Sequence, residues 1–231
     1  MELPNRTKVE VQLAREMGKL YSDIRDDLTR KLGKTPKLEN IPLDWWDEIE
    51  KRTRGVLSSS LIETYMVAAE QQLGQSSIGV DWALVNERAA DWASEHVSEI
   101  SKQFVGNSRQ AVSKLVESYY RNGLTLGDLE KQLSSIFGPI RAEMIAITEI
   151  TAAASAGEIQ VSKQITQDTG LQMMAIWKTN MDERVCPICG NLNSKKAVRN
   201  NPPQWESGGN YYDAPPAHPR CRCWMSLELP K

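Results

Sequence analysis

Apolar residues recur every three or four positions over most of the first 169 residues of this 231-residue chain, and after Gly170 they stop doing so. That period lays one stripe along a helix, and a stripe must be buried against something. From Thr7 to about Lys31 it is carried by Val9, Leu13, Met17, Leu20, Tyr21, Ile24 and Leu28. The linker GKTPKLENIPL, with its glycine and two prolines, stops this helix near Leu32. Asp44 opens a second, running to Leu73, in which Gly55 and the serines at 58 to 60 predict a kink or break by propensity. GQSSIGV ends it, and Asp81 caps a third whose Trp82, Val85, Ala89, Trp92, Val97, Ile100 and Phe104 mostly follow the same spacing.

A fresh helix is expected at Asn107 or Ser108, ended by Gly123. Thr125 and Asp128 stand in capping-box spacing for the next one. Pro139 occupies the first turn of a long last helix that ends at Gly170. Beyond it, LQMMAIWKTN and CWMSLEL read as strands. The expected fold is therefore α+β and mainly α-helical, with long helices followed by a small carboxy-terminal β-hairpin module. Residues 1–120 form a helical amino-terminal region and 121–231 a second domain, whose last part, about 171–231, holds the hairpin.

The roughly 45 residues between those strands are rich in proline and glycine and show no helical period. So long a loop rarely holds one shape without a cross-link. All four cysteines of the chain, and one of its two histidines, lie within residues 186–223: Cys186 and Cys189 in C-x-x-C, then His218, Cys221 and Cys223 in H-x-x-C-x-C. Pairs two residues apart aim two donors at one cation, and two such pairs complete the tetrahedron that Zn²⁺ favours. Five donors compete for four places: Cys186, Cys189, His218 and Cys221, with Cys223 able to replace one of the last two. A set this crowded leaves no position for water and reads as structural. Two disulfides, free thiols, and a redox-active C-x-x-C are the other uses of such thiols. Gly190 and Asn191 suggest a turn after the C-x-x-C, against the helix a redox motif would open.

Around the cluster, Asp182 can accept backbone N–H groups of the turn or pair with Arg184 or Arg222. Trp177 and Trp224, at the ends of the two strands, are expected to pack as a lid over the site. Net charge is −2, but it is uneven: residues from Lys178 onward carry +3 and the first 177 carry −5. Lys195, Lys196, Arg199, Arg220 and Arg222 are accordingly candidates for contacts with DNA phosphates. A nuclease centre built on His218 with Asp182 or Glu183 would need partners that the sequence does not supply nearby, so no catalytic residue is expected. The opening residues lack the apolar centre of a signal peptide, and no stretch of about 18 apolar residues follows, so a soluble protein without membrane contact is expected.

Three blocks in order, RAEMIAITEITAAASAGEI at 141 to 159, WKTNMDERVCPICGNL at 177 to 192 and PPAHPRCRC at 215 to 223, resemble the phage head morphogenesis family, the Mu F-like minor head proteins. The matching positions are Arg141, Glu143, Thr148, Glu149, Trp177, Asp182, Cys186, Cys189, His218, Pro219, Cys221, Arg222 and Cys223. The turn after Cys189, GNLNSKK, departs from the pattern. The resemblance covers about residues 120 to 225. It implies a minor capsid protein made in the bacterial cytoplasm and packed inside the virion. Its partners would be the portal, other head proteins such as the major capsid or scaffold protein, and the packaged DNA, in head assembly or DNA delivery. Longer members carry further carboxy-terminal domains, and this chain is expected to have none.

Overall fold

The computed structural model describes residues 2–76, 82–180, 182–198 and 205–228. The expected helices are present: α1 Arg6–Leu32, α2 Trp45–Ser76, α3 Trp82–Asn122, α4 Leu126–Ile136 and α5 Pro139–Thr169, with a 3-10 turn at Leu38–Asn40. Their ends follow local chemistry. Thr125 caps α4 by accepting from Asp128 N, while the Asp128 carboxylate accepts from Thr125 N, so both halves of the capping box form. Gly170, after α5, takes φ +71°, a conformation in which glycine is unstrained. The expected cap Asp81 lies outside the described residues. Among those residues, no helix is long and apolar enough to cross a membrane.

Two expected breaks are absent. α2 runs unbroken through Gly55 and the serines, because its buried face continues on both sides through Ile49, Thr53, Leu57 and Leu61. The hydroxyls of Thr53, Ser58 and Thr64 each donate to the carbonyl four residues back, so they do not compete with the helical ladder. α3 likewise passes through Gly106 and Asn107. Ser108, read as a cap, instead lies buried and accepts from Arg141 Nη1 at 3.1 Å. Packing overrides propensity at both places.

The described chain forms two compact units, one of residues 11–59 and 94–146, the other of 1–10, 60–93 and 147–231. The first is helical, with Leu13, Met17, Ile24, Ile49, Leu57 and Leu133 in its core. Both phenylalanines of the chain meet there. Tyr21 stacks on Phe104 at 5.2 Å, Phe137 stands edge-on to both, and the Arg141 guanidinium lies 4.7 Å from the Phe104 ring centre.

The second unit holds all the β structure. Strand β1, Met174–Lys178, is central to an antiparallel sheet ordered β2-β1-β5, with β2 Lys196–Val198 and β5 Trp224–Glu228. A separate ribbon pairs β3, Trp205–Ser207, with β4, Asn210–Tyr212. Its two-residue turn is Gly208-Gly209, both at positive φ, as the right-handed twist of the strands demands. Tyr65, Ala69, Val161, Ile165, Ala175, Trp177, Trp205 and Leu227 form one apolar core in this unit. At Gly157 the backbone of α5 approaches that of α2 so closely that a Cβ would sit 2.2 Å from Tyr65 O.

Candidate metal centre

The C-x-x-C does not end in a turn. It opens a short helix, α6, Pro187–Leu192, a correction to the reading of Gly190-Asn191. Six residues are too few to show a period in sequence, but the local signals are Pro187 at the first helical position and Cys186 before it as the cap. The Cys186 sulfur accepts from Cys189 N at 3.4 Å, so the turn that caps the helix also places both sulfurs on one side. On the opposite strand side, Cys221 N donates to His218 O, and Arg220 sits at φ +64° to close that tight turn.

Together these turns gather all five donors in two overlapping sets: Cys186, Cys189 and His218, then Cys189, Cys221 and Cys223, with every donor atom in a set within 4.8 Å of the others. Cys189 belongs to both. His218 Nε2 lies 3.1 Å from each sulfur of Cys186 and Cys189. Its Nδ1–H donates to Pro219 O at 2.8 Å, which leaves the Nε2 lone pair facing the sulfurs. The sulfurs of Cys189 and Cys221 are 3.8 Å apart. That is the edge, about 3.8 Å, of a tetrahedron with 2.3 Å metal–sulfur bonds, and nearly twice the S–S bond of about 2.05 Å. No disulfide joins any of the four cysteines.

The sulfurs share protons. Hydrogen bonds from Cys189 and then Cys223 lower the Cys221 thiol below its usual range near 8.5. Cys189 is pushed up, first because its S–H serves Cys221 and Cys223, then by burial. Cys223 is lowered by its contact with Cys189, but its hydrogen bond to Cys221, burial and the Cys221 charge outweigh this and push it up to about 12. A largely buried cluster of four sulfurs and an imidazole offers soft donors that fit a thiophilic dication, which would deprotonate the thiols.

Supporting residues divide into those placed as expected and those not. Asp182 Oδ1 accepts from Arg184 N at 3.1 Å, an Asx turn leading into the C-x-x-C. Arg222 pairs elsewhere, with Glu10, its Nε 3.1 Å from Oε2. Trp177 is fully buried, but the lid it was to form with Trp224 does not exist. Trp177 pairs across the sheet with Met225, and Trp224 with Lys178, so the two indoles fall on opposite faces. Trp177 packs instead against Trp205, which stands edge-on to it at 5.4 Å and donates from Nε1 to Lys195 O. The Trp177 Nε1–H makes no hydrogen bond of ordinary geometry; its electrostatic partner is Cys223, whose thiolate it favours.

Of the candidate DNA contacts, Lys195 donates to Glu206 O at 2.6 Å, Lys196 is exposed on β2, and Arg220 N donates to Thr148 Oγ1 at 2.9 Å. Arg199 lies outside the described residues. The sequence reading missed Arg6, Glu10 and Thr151. Arg6 donates to Glu10 Oε1 at 2.8 Å, to Arg222 O at 2.9 Å and to Thr151 Oγ1, and Thr151 Oγ1 stands 2.7 Å from Cys221 O. The only local trace of this is Arg6-x-x-x-Glu10, a spacing usual for surface pairs.

A Cys/His cluster gathered beside a small antiparallel sheet and preceded by long helices stands in a motif order that matches one family. The family model for phage Mu protein F like proteins matches residues 110–226, a little over half of the chain, and the chain belongs to this family. It is thereby a phage head morphogenesis protein, associated with the virion. No curated protein and no solved structure matched the chain.

Proposed function

We propose that the protein is a non-enzymatic minor head component that docks on the portal during prohead assembly, with the Cys/His cluster serving as a structural zinc staple. Family membership supports the setting. The observation that carries the staple reading is the engagement of both His218 nitrogens, Nδ1 with Pro219 O and Nε2 with two sulfurs. A histidine so held has no nitrogen left to take a proton from water, which argues against a nuclease centre. Cys186, Cys189 and His218 would hold the ion with Cys221 or Cys223 as fourth donor. Zinc there would supply no redox chemistry. It would neutralise the thiolates and bind the α6 turn to the His218–Cys223 turn, adding its binding free energy to folding.

Affinity capture of the tagged protein from phage-infected cells tests the docking: proheads containing portal should co-purify, and proheads that lack this chain would refute it. Native against denaturing mass spectrometry tests the metal. A difference of one zinc is expected; a loss of four mass units with no zinc would assign two disulfides instead.

A further inference from the structure

The Cys/His loop is held from outside by the first turns of α1, more than 200 residues away in sequence. Arg6 and Glu10 are 6% and 4% exposed, values at which a charge must be paired. Each group of this pair has a partner in Arg222, the residue after the donor Cys221. The Arg6 guanidinium reaches Arg222 O at 2.9 Å with one nitrogen, Thr151 with a second and Glu10 with its third. The other oxygen of Glu10 accepts from Arg222 Nε at 3.1 Å. The Thr151 hydroxyl lies between Ile147 O, at 2.8 Å, and Cys221 O, at 2.7 Å, so α5 holds the same loop from below. Residues 220, 221 and 222 are thus gripped in succession, by Thr148, by Thr151 and by Arg6 with Glu10.

We infer that metal loading of the Cys/His cluster and docking of the amino-terminal turn of α1 are coupled, so that the ion acts as a latch on residues 2–10. The inference rests on the metal reading above. The physical link is short. Cys221 or Cys223, as the fourth ligand, fixes the backbone directly beside Arg222. Without an ion that backbone is free to move, Arg6 loses an acceptor, and Glu10 loses one of its two cations while buried. A buried carboxylate with half its partners is costly, and the cheaper state has the first turn of α1 undocked in water. Binding linkage makes the coupling reciprocal: whatever undocks Arg6 and Glu10 must weaken the metal by the same factor, on the order of tenfold for couplings of this kind.

The test uses full-length protein whose zinc content is fixed by native mass spectrometry. Hydrogen exchange is then followed with and without a strong zinc chelator. Protection of amides in peptides over residues 3–13 should fall about tenfold on chelation, while peptides over 45–57 keep theirs. Zinc present and residues 3–13 unchanged on its removal would overturn the latch and leave the metal reading standing. Equal loss over 45–57 would replace the latch by global unfolding, and protein that binds no zinc would remove both readings. In the reverse direction, Glu10→Gln and Arg6→Lys should each speed zinc transfer to a chromogenic chelator several-fold; transfer at the wild-type rate would again overturn the coupling. The chelation arm needs no variant, so poor folding of either substitution leaves the test intact.

Discussion

Replacing Gly157 by alanine separates two opposed effects at one residue. In an exposed helix the change adds about 1 kcal/mol through backbone entropy. Here the added methyl would lie 2.2 Å from Tyr65 O, 3.1 Å from Tyr65 C and 3.2 Å from Ala69 N, all of them backbone atoms of α2. Ordinary contact begins near 3.5 Å, so the two helical segments must separate locally by roughly 1 Å, and no side-chain rotation can relieve it. Overpacking of this kind costs about 1–3 kcal/mol, and a rigid backbone neighbour places it at the upper end. After the entropic gain, a net loss of about 1–2 kcal/mol remains, or a Tm lower by roughly 2–8 °C for a chain of this size. Gly55 is the matched control. It lies mid-helix in α2, with nothing within 4 Å of an added Cβ, so Gly55→Ala should raise Tm by about 2–4 °C. Circular-dichroism melts of the two variants beside the wild type decide the matter. A Gly157→Ala protein as stable as the wild type would refute the close helix approach.

Cys186→Ser should loosen the carboxy-terminal sheet while leaving most helical signal, because site closure and folding of the module are coupled; an unchanged near-ultraviolet spectrum from the Trp177–Trp205 pair would contradict this. Burial, opposed by Arg88, pushes the Tyr65 hydroxyl up to about 12 from an ordinary value near 10. The raised folded-state value means that stability is fully present below about pH 10 and is lost as pH rises toward 12. The loss at this group is at most on the order of 2–3 kcal/mol, and urea titrations at pH 9 and 11.5 should show a smaller difference for Tyr65→Phe than for the wild type. Arg141→Met removes hydrogen bonds to Ser108 and Ile136 O and the cation over Phe104, and should lower stability by roughly 2–3 kcal/mol in denaturant titration. Arg141→Lys should recover only part of that loss, since an ammonium cannot make the planar contact.

Sequence alone determined what short-range physics decides. A period of 3.6 placed α1 nearly to the residue, Thr125 with Asp128, Pro139 and Gly170 marked ends of α4 and α5 that depend only on neighbouring backbone, and paired donors two residues apart announced a cross-link. These signals are legible because each is complete within a turn or two of chain. Gly55 with its following serines, and Asn107 or Ser108 as a cap, misled because their local preference was real but small, about 1 kcal/mol, against the burial of whole helical faces that no window of sequence contains. The partner of Trp177 is Trp205 rather than Trp224, since strand register, a property of pairing across 45 residues, sets which face an indole occupies. The same holds at the metal centre. Sequence named the five donors; only the fold made Cys189 common to two sets and turned His218 Nε2 inward. The spacing of Arg6 and Glu10 suits a surface pair and did not mark them as buried, because a buried charge is recognised by what surrounds it, and Arg222 arrives from the other end of the chain.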